Sequence, residues 1–201
     1  MKLKFATVLF ALATLAGSAN AEIINVIKNG DFESGRSHWS LTGNVDYASQ
    51  TQGGFYWGGG SVAQNGTRAI AFNSGDRFAN GTLSQSFATV LGHVYRVSFD
   101  YGSTSPSPQS MNYIVLAANT TLANGKVTDN NVSGLLDNYR FSFVGTGGMT
   151  TLRFFDANAN NSISNDGLLD NVRVEVPEPA SMALMGLGLL GLGFGRRRKA
   201  A

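Results

Sequence analysis

The 201 residues contain no cysteine. Export to an oxidising space would permit disulfides, yet none can form, so the fold must hold by its core alone. Histidine is nearly absent. His38 and His93 are the two, far apart and without His-x-x-x-His spacing, which excludes a helical two-histidine metal site. Neither a Gly-x-Ser-x-Gly elbow nor a phosphate-binding loop occurs. Charged residues make up 14% of the chain, and no stretch marks a pair of carboxylates placed for glycoside hydrolysis. The equipment of an enzyme is missing, and a non-catalytic role is expected. Helical periodicity is also missing from residues 22–176, as is any internal repeat.

What is present begins at the two ends. Lys2 and Lys4 precede an apolar stretch from Phe5 to Ala16 and a small-x-small site at Ala19-Asn20-Ala21. That order predicts a secretory signal peptide over residues 1–21, cleaved after Ala21 to leave Glu22 as the mature N-terminus. At the other end stands Val176-Pro177-Glu178-Pro179-Ala180-Ser181, then an uncharged run from Met182 to Phe194, then Arg196-Arg197-Arg198-Lys199. Two prolines forbid a regular element through that junction. An uncharged run closed by cations predicts a membrane insert with its basic end in the cytoplasm. It is a short one. The fifteen residues from Ser181 to Gly195 would cover about 22 Å as a helix, against ~30 Å of hydrocarbon. Five glycines weaken it further, so transient lodging in the inner membrane is expected.

Trimming both ends reverses the charge. Of 15 Lys and Arg, two lie in the leader and four in the tail, leaving nine against 13 acids, a net −4 for the middle of the chain. A nucleic-acid partner loses its electrostatic basis. Residues 22–176 suffice for one domain.

Within it the apolar pattern has period two. Tyr95, Val97, Phe99 and Tyr101 alternate with Arg96, Ser98 and Asp100, and Tyr139, Phe141 and Phe143 alternate with Arg140 and Ser142. Similar short runs occur at 23–27, 44–48, 68–72, 83–88, 111–118, 151–155 and 169–176. Glycine and asparagine pairs punctuate them, among them Asn80-Gly81, Asn124-Gly125 and Gly147-Gly148. Eight or nine short strands so arranged predict an all-β antiparallel sandwich, a jelly roll.

Two resemblances sharpen this. Val-Pro-Glu-Pro-Ala-Ser, a short Gly/Leu-rich span and a terminal Arg-Arg-Arg-Lys resemble the PEP-CTERM protein-sorting signal over residues 176–201. The resemblance implies a Gram-negative source, recognition near Pro177-Glu178-Pro179 by an exosortase-type membrane peptidase, a role for Arg196, Arg197 and Arg198 in the signal, and arrival outside the cell or on its surface. It also implies an association with exopolysaccharide and biofilm. In the body, Asn29-Gly30-Asp31-Phe32-Glu33-Ser34-Gly35 followed by Trp39, with Leu169-Asp170-Asn171-Val172 near the end, resembles the galactose-binding-like jelly rolls, a group that includes carbohydrate-binding modules. That resemblance implies a packed Trp39 and a structural calcium held by the side chains of Glu33 and Asp170. The alternative is that both carboxylates accept from turn amides without a metal.

Two loops carry further candidates. Gly53-Gly54-Phe55-Tyr56-Trp57-Gly58-Gly59-Gly60 sets three aromatics in a row between glycines. Neighbours on an extended chain alternate faces, so the three cannot all enter a core. Tyr56 and Trp57 are the candidate sugar platforms, the alternative being that Phe55 or Trp57 plugs one end of the sandwich. Asp156-Ala157-Asn158-Ala159-Asn160 has the start of an EF-hand loop, but Asn161 and Gly167 stand where the turn glycine and the bidentate glutamate belong. A polar turn between strands is expected. The reading that follows is an exported, non-catalytic β-sandwich that binds or organises extracellular polysaccharide. The alternatives are a structural surface protein that recognises protein partners and, more weakly, a glycan hydrolase.

Overall fold

The computed structural model describes residues 23–49, 66–72, 79–103, 108–129, 136–157 and 167–177. Its compact unit runs from Asn25 to Val176. The strands are β1 (Ile23–Asn25), β2 (Ser40–Thr42), β3 (Val45–Ser49), β4 (Arg68–Phe72), β5 (Thr82–Thr89), β6 (Val94–Ser103), β7 (Gln109–Ala117), β8 (Thr120–Asp129), β9 (Asp137–Val144), β10 (Gly148–Asp156) and β11 (Gly167–Pro177). They form two antiparallel sheets. One has the order β3-β4-β11-β6-β9, with β1 also paired to β11, and the other β2-β5-β10-β7-β8. From β4 onward the chain crosses between the sheets at nearly every connection, as in a jelly roll. The expected all-β sandwich is what the chain forms. Among the described residues there is no helix, and hence none long and apolar enough to cross a membrane.

Alternation decides which side chains make the core. Tyr95, Val97, Phe99 and Tyr101 of β6 all point inward and are 2% exposed or less. Phe99 lies at the centre. Its ring meets Phe154 of the opposite sheet at 5.0 Å and Tyr139 of its own at 5.7 Å. Tyr113 and Phe141 stack across the sandwich at 4.2 Å. Trp39 is buried beside Phe32 at 5.4 Å, and its Nε1–H donates to the Asn29 carbonyl at 2.9 Å. This indole seats the Asn29–Gly35 turn on the sandwich.

Among the described residues the strand count is eleven rather than eight or nine. The main addition is β8. Asn124-Gly125 is not a turn, because it lies inside that strand opposite Ile114 and Tyr113. Gly125 is there because a Cβ would run into the Tyr113 ring. The true turn is Ala118-Asn119, which joins Ala117 directly to its partner Thr120. Ala118 adopts φ 49° to make it.

Candidate functional site

The register of three neighbouring strands builds a groove on the outer face of the larger sheet. On β6 the outward residues are Arg96, Ser98 and Asp100. Across β9 they pair with Ser142, Arg140 and Asn138 respectively. Across β11, Glu175 pairs with Arg96 and Arg173 with Ser98. Between Asp170 and Arg173 the ladder carries a bulge, where Asn171 takes φ 51°. Asparagine tolerates that left-handed conformation better than most residues. The bulge brings the Asn171 carboxamide onto Asp100, with Nδ2 to Oδ2 at 2.7 Å.

The outcome is three polar rungs: Glu175-Arg96-Ser142, Arg173-Ser98-Arg140 and Asn171-Asp100-Asn138. Successive rungs lie ~7 Å apart and strands ~4.8 Å apart. In the middle rung the backbones of the two arginines therefore lie ~10 Å apart on either side of a small serine, with Arg140 leaning toward Asn138 and Arg173 toward Glu175. These residues, with backbone near Val97 and Phe141, line a cavity of about 740 Å³.

The floor is fixed by its own hydrogen bonds. Asp100 Oδ1 accepts from Asn138 Nδ2 at 2.7 Å and Oδ2 from Asn171. Asn138 Oδ1 in turn accepts from Arg140 Nε at 2.6 Å. Arg140 is thus oriented through Nε while its terminal nitrogens stay available. Arg173 meets Glu175 only at 3.8 Å, with both partners partly solvated. Arg96 and Arg140 make no ion pair among the described residues. Three arginines against Asp100 and Glu175 give the groove a local excess of one positive charge in a domain, residues 22–176, of net −3 (nine cations against 12 acids). Among the described residues no aromatic ring stands in this groove, since Phe141 turns inward onto Tyr113 and Phe99.

Glu33 lies in the Asn29–Gly35 turn. Its Oε1 accepts from the amides of Thr67 and Arg68, each at 2.7 Å, and Oε2 from the Thr67 hydroxyl at 3.0 Å. Arg68 also donates to the Glu33 carbonyl at 2.7 Å. Burial would raise the Glu33 carboxyl, but the Thr67 and Arg68 amides outweigh it and hold the group below its ordinary value. A calcium ion here would have to displace these donors and sit beside the Arg68 guanidinium. Asp170 is fully buried, and its Oδ1 accepts from the Asn171 amide at 2.7 Å. Amides thus serve at least one oxygen of each carboxylate. Among the described residues no cluster of three or more metal-ligating side chains occurs. Asp156, first of the polar turn, is the buried end of β10 and accepts from the Gly81 amide at 2.8 Å. Tyr56 and Trp57 lie outside the described residues, as do the Ala19 and Ala21 cleavage site, Glu178, Pro179, the short apolar span and Arg196 to Arg198. Pro177 is the last residue of β11.

The family model described as "Protein of unknown function (DUF642)" matches residues 25–175, and that of the PEP-CTERM protein-sorting motif matches residues 175–199. No curated protein matches the chain. Among solved structures, the sandwich is similar to the module TmCBM61 in complex with β-1,4-galactotriose. That match has a TM-score of 0.56 and 19% identity, covering 75% of this chain and 97% of the module. A family 16 carbohydrate-binding module matches with a TM-score of 0.54 and 17% identity, covering 75% and 99%. A cyclase from Fischerella sp. TAU matches with a TM-score of 0.56 and 16% identity, covering 77% and 98%. At such identities the likeness is one of fold, shared by binding modules and an enzyme alike. The sorting motif and the carbohydrate-binding-module-like sandwich agree with the resemblances drawn from the sequence.

Proposed function

The chain belongs to the DUF642 family, and on that premise we propose that it is an exported, non-catalytic module that adsorbs to extracellular polysaccharide through the outer groove, taking sugars that carry a negative charge. The observation that carries this reading is the middle rung, where the register sets Arg140 and Arg173 on either side of Ser98. A carboxylate or similar anion on a sugar would take charge-assisted hydrogen bonds from both, while the fixed carboxamides of the next rung meet neighbouring hydroxyls. The sorting motif supports export. Handling by an exosortase-type membrane peptidase at Pro177-Glu178-Pro179, passage through the inner membrane and a place in a biofilm matrix are parts of the same proposal. Tyr56 and Trp57 would add stacking surface.

The likeness to a cyclase favours a catalytic reading. Against it, both oxygens of Asp100 are occupied by carboxamides, which makes that carboxylate a structural acceptor rather than a proton carrier.

The test is retention of the exported chain on an acidic polysaccharide such as polygalacturonate, beside a neutral galactan. Acid-selective, salt-sensitive retention is expected. Arg140→Ala combined with Arg173→Ala should weaken it roughly 10- to 100-fold, the value of one or two charge-assisted hydrogen bonds. Equal retention on both polymers would remove the charge argument. Retention on neither would remove the glycan reading.

A further inference from the structure

Five of the seven large apolar side chains exposed among the described residues gather at one end of the sandwich. They are Val90 (55% exposed), Leu91 (74%), Val94 (50%), Val144 (54%) and Met149 (61%). Pairing puts them together. Val94 faces Val144, and Gly148 and Met149 face Thr89 and Ala88. The β5–β6 and β9–β10 turns are tied to each other, Gly92 N–H donating to the Gly145 carbonyl and Gly145 N–H to the His93 carbonyl, both at 2.8 Å. The β7–β8 turn reaches the same end, because Ala117 faces Thr150.

Three further features say what covers this end. The segments 88–95, 117–121 and 143–151 that build it contain no Asp, Glu, Lys or Arg. Part of their backbone is served internally. Besides the two bonds between the turns, His93 N–H donates to the Val90 carbonyl at 3.3 Å, and Val90 N–H donates to the Tyr95 hydroxyl at 2.9 Å. Each such bond lowers the cost of taking these turns out of water. Finally, the chain leaves the domain here. Glu175 pairs with Arg96 at the start of β6, so the close of β11 lies beside the apolar turns. From Val176 the sequence reaches the apolar run at Met182 through five residues, Pro177 to Ser181. Fully extended, these span at most ~18 Å.

We infer that this end of the sandwich is a lipid-docking surface, resting on the bilayer in which the C-terminal run is lodged before sorting. Leu91, on the β5–β6 turn, and Met149, second residue of β10, enter the headgroup and acyl boundary, as apolar side chains of interfacial proteins do. A short tether keeps the tip near that boundary, so weak apolar contacts suffice through high effective concentration. Docking holds the Pro-Glu-Pro segment close to the membrane surface, and cutting the chain there releases the domain.

Because the chain has no cysteine of its own, single probes can be placed on the full-length protein. An environment-sensitive fluorophore is attached at Thr146→Cys, on the exposed β9–β10 turn, or at Asp137→Cys, exposed at the opposite end. The protein is reconstituted in phosphatidylethanolamine–phosphatidylglycerol vesicles. The Thr146 probe should brighten, shift to the blue and become several-fold less quenchable by iodide, while the Asp137 probe stays as in water. Adding Leu91→Asp and Met149→Asp, both at exposed positions and so neutral to folding, should return the Thr146 probe to its aqueous signal while the chain still pellets with vesicles. Equal quenching at the two positions overturns the proposal, as does failure to pellet. Protection of the Thr146 probe without vesicles, rising with protein concentration, overturns it in favour of a second copy of the chain.

Discussion

Asp156 should make this protein lose stability as pH rises from 4 to 7. It closes β10 at 4% exposure, with Oδ2 accepting from the Gly81 amide at 2.8 Å. Burial pushes its carboxyl up from 3.8 to about 6, against the opposing pull of that amide. Below about 3.8 the group is protonated in folded and unfolded chains alike and imposes no penalty. Between about 3.8 and 6 only the folded chain retains the proton. Above about 6 both states are ionised and the folded state bears the full cost of the buried charge. That interval, at ~1.36 kcal/mol per pH unit, amounts to about 3 kcal/mol. Tyr101 shares the environment. Its phenol is pushed far up, first by burial and then by the charges of Asp156 and Asp129. Asp156→Asn keeps an oxygen for the Gly81 amide and removes the ionisation. The measurement is thermal unfolding of both proteins from pH 4 to pH 7. Relative to wild type the variant should gain about 2.4 kcal/mol across that range, or ~5–10 °C for a domain of this size. Glu33 has the opposite sign. Its lowered carboxyl contributes stability above its unfolded value of 4.5 that is lost as pH falls through the folded one. It is common to both proteins and cancels in the difference. A difference constant over pH 4–7, or one that shrinks as pH rises, would refute the reasoning.

Two other outcomes follow from close contacts. Gly125→Val should cost about 1–3 kcal/mol in denaturant unfolding, because any Cβ there strikes the Tyr113 ring. Glu33→Ala should cost about 2 kcal/mol by leaving the Thr67 and Arg68 amides without their acceptor. If hydrogen bonds alone hold that turn, a chelator should leave the wild-type melting temperature unchanged. A drop of several degrees on chelation would mean that calcium replaces those donors.

The inward faces of β6 and β9 were legible because each strand alternates strictly, and alternation is a local property. The seat of Trp39 was legible through its spacing from the Asn29–Gly35 turn. β8 was not, because Asn124-Gly125 looks the same whether glycine makes a turn or yields to a ring overhead. The partner that decides between them, Tyr113, becomes its neighbour only after pairing. The groove was hidden for the same reason. Arg96, Arg140 and Arg173 each read as one outward cation on a strand. Nothing local says that β6, β9 and β11 lie side by side, or that the bulge at Asp170 puts Arg173 level with Arg140. The signal that could have found it was weak: three arginines at outward positions in a chain with few cations to place.

The groove and the apolar end adjoin on the same sandwich, and this bears on how they could act together. Side chains of the groove stand off the face of the larger sheet, a face that Val94 and Val144 continue one rung further toward the turn that carries Leu91. No residue is shared between them. Counting from the apolar end along β6, the rungs recede as Arg96, Ser98 and Asp100, so the two arginines of the middle rung sit two residues beyond the first. A domain resting on its turns would therefore present the groove sideways, with these two arginines ~7 Å further from the surface than Arg96. A polymer lying along the membrane could reach them without displacing the tip. Adsorption to glycan and docking to lipid are then compatible states. Loss of the tether would weaken only the second, leaving the released domain its hold on the polymer.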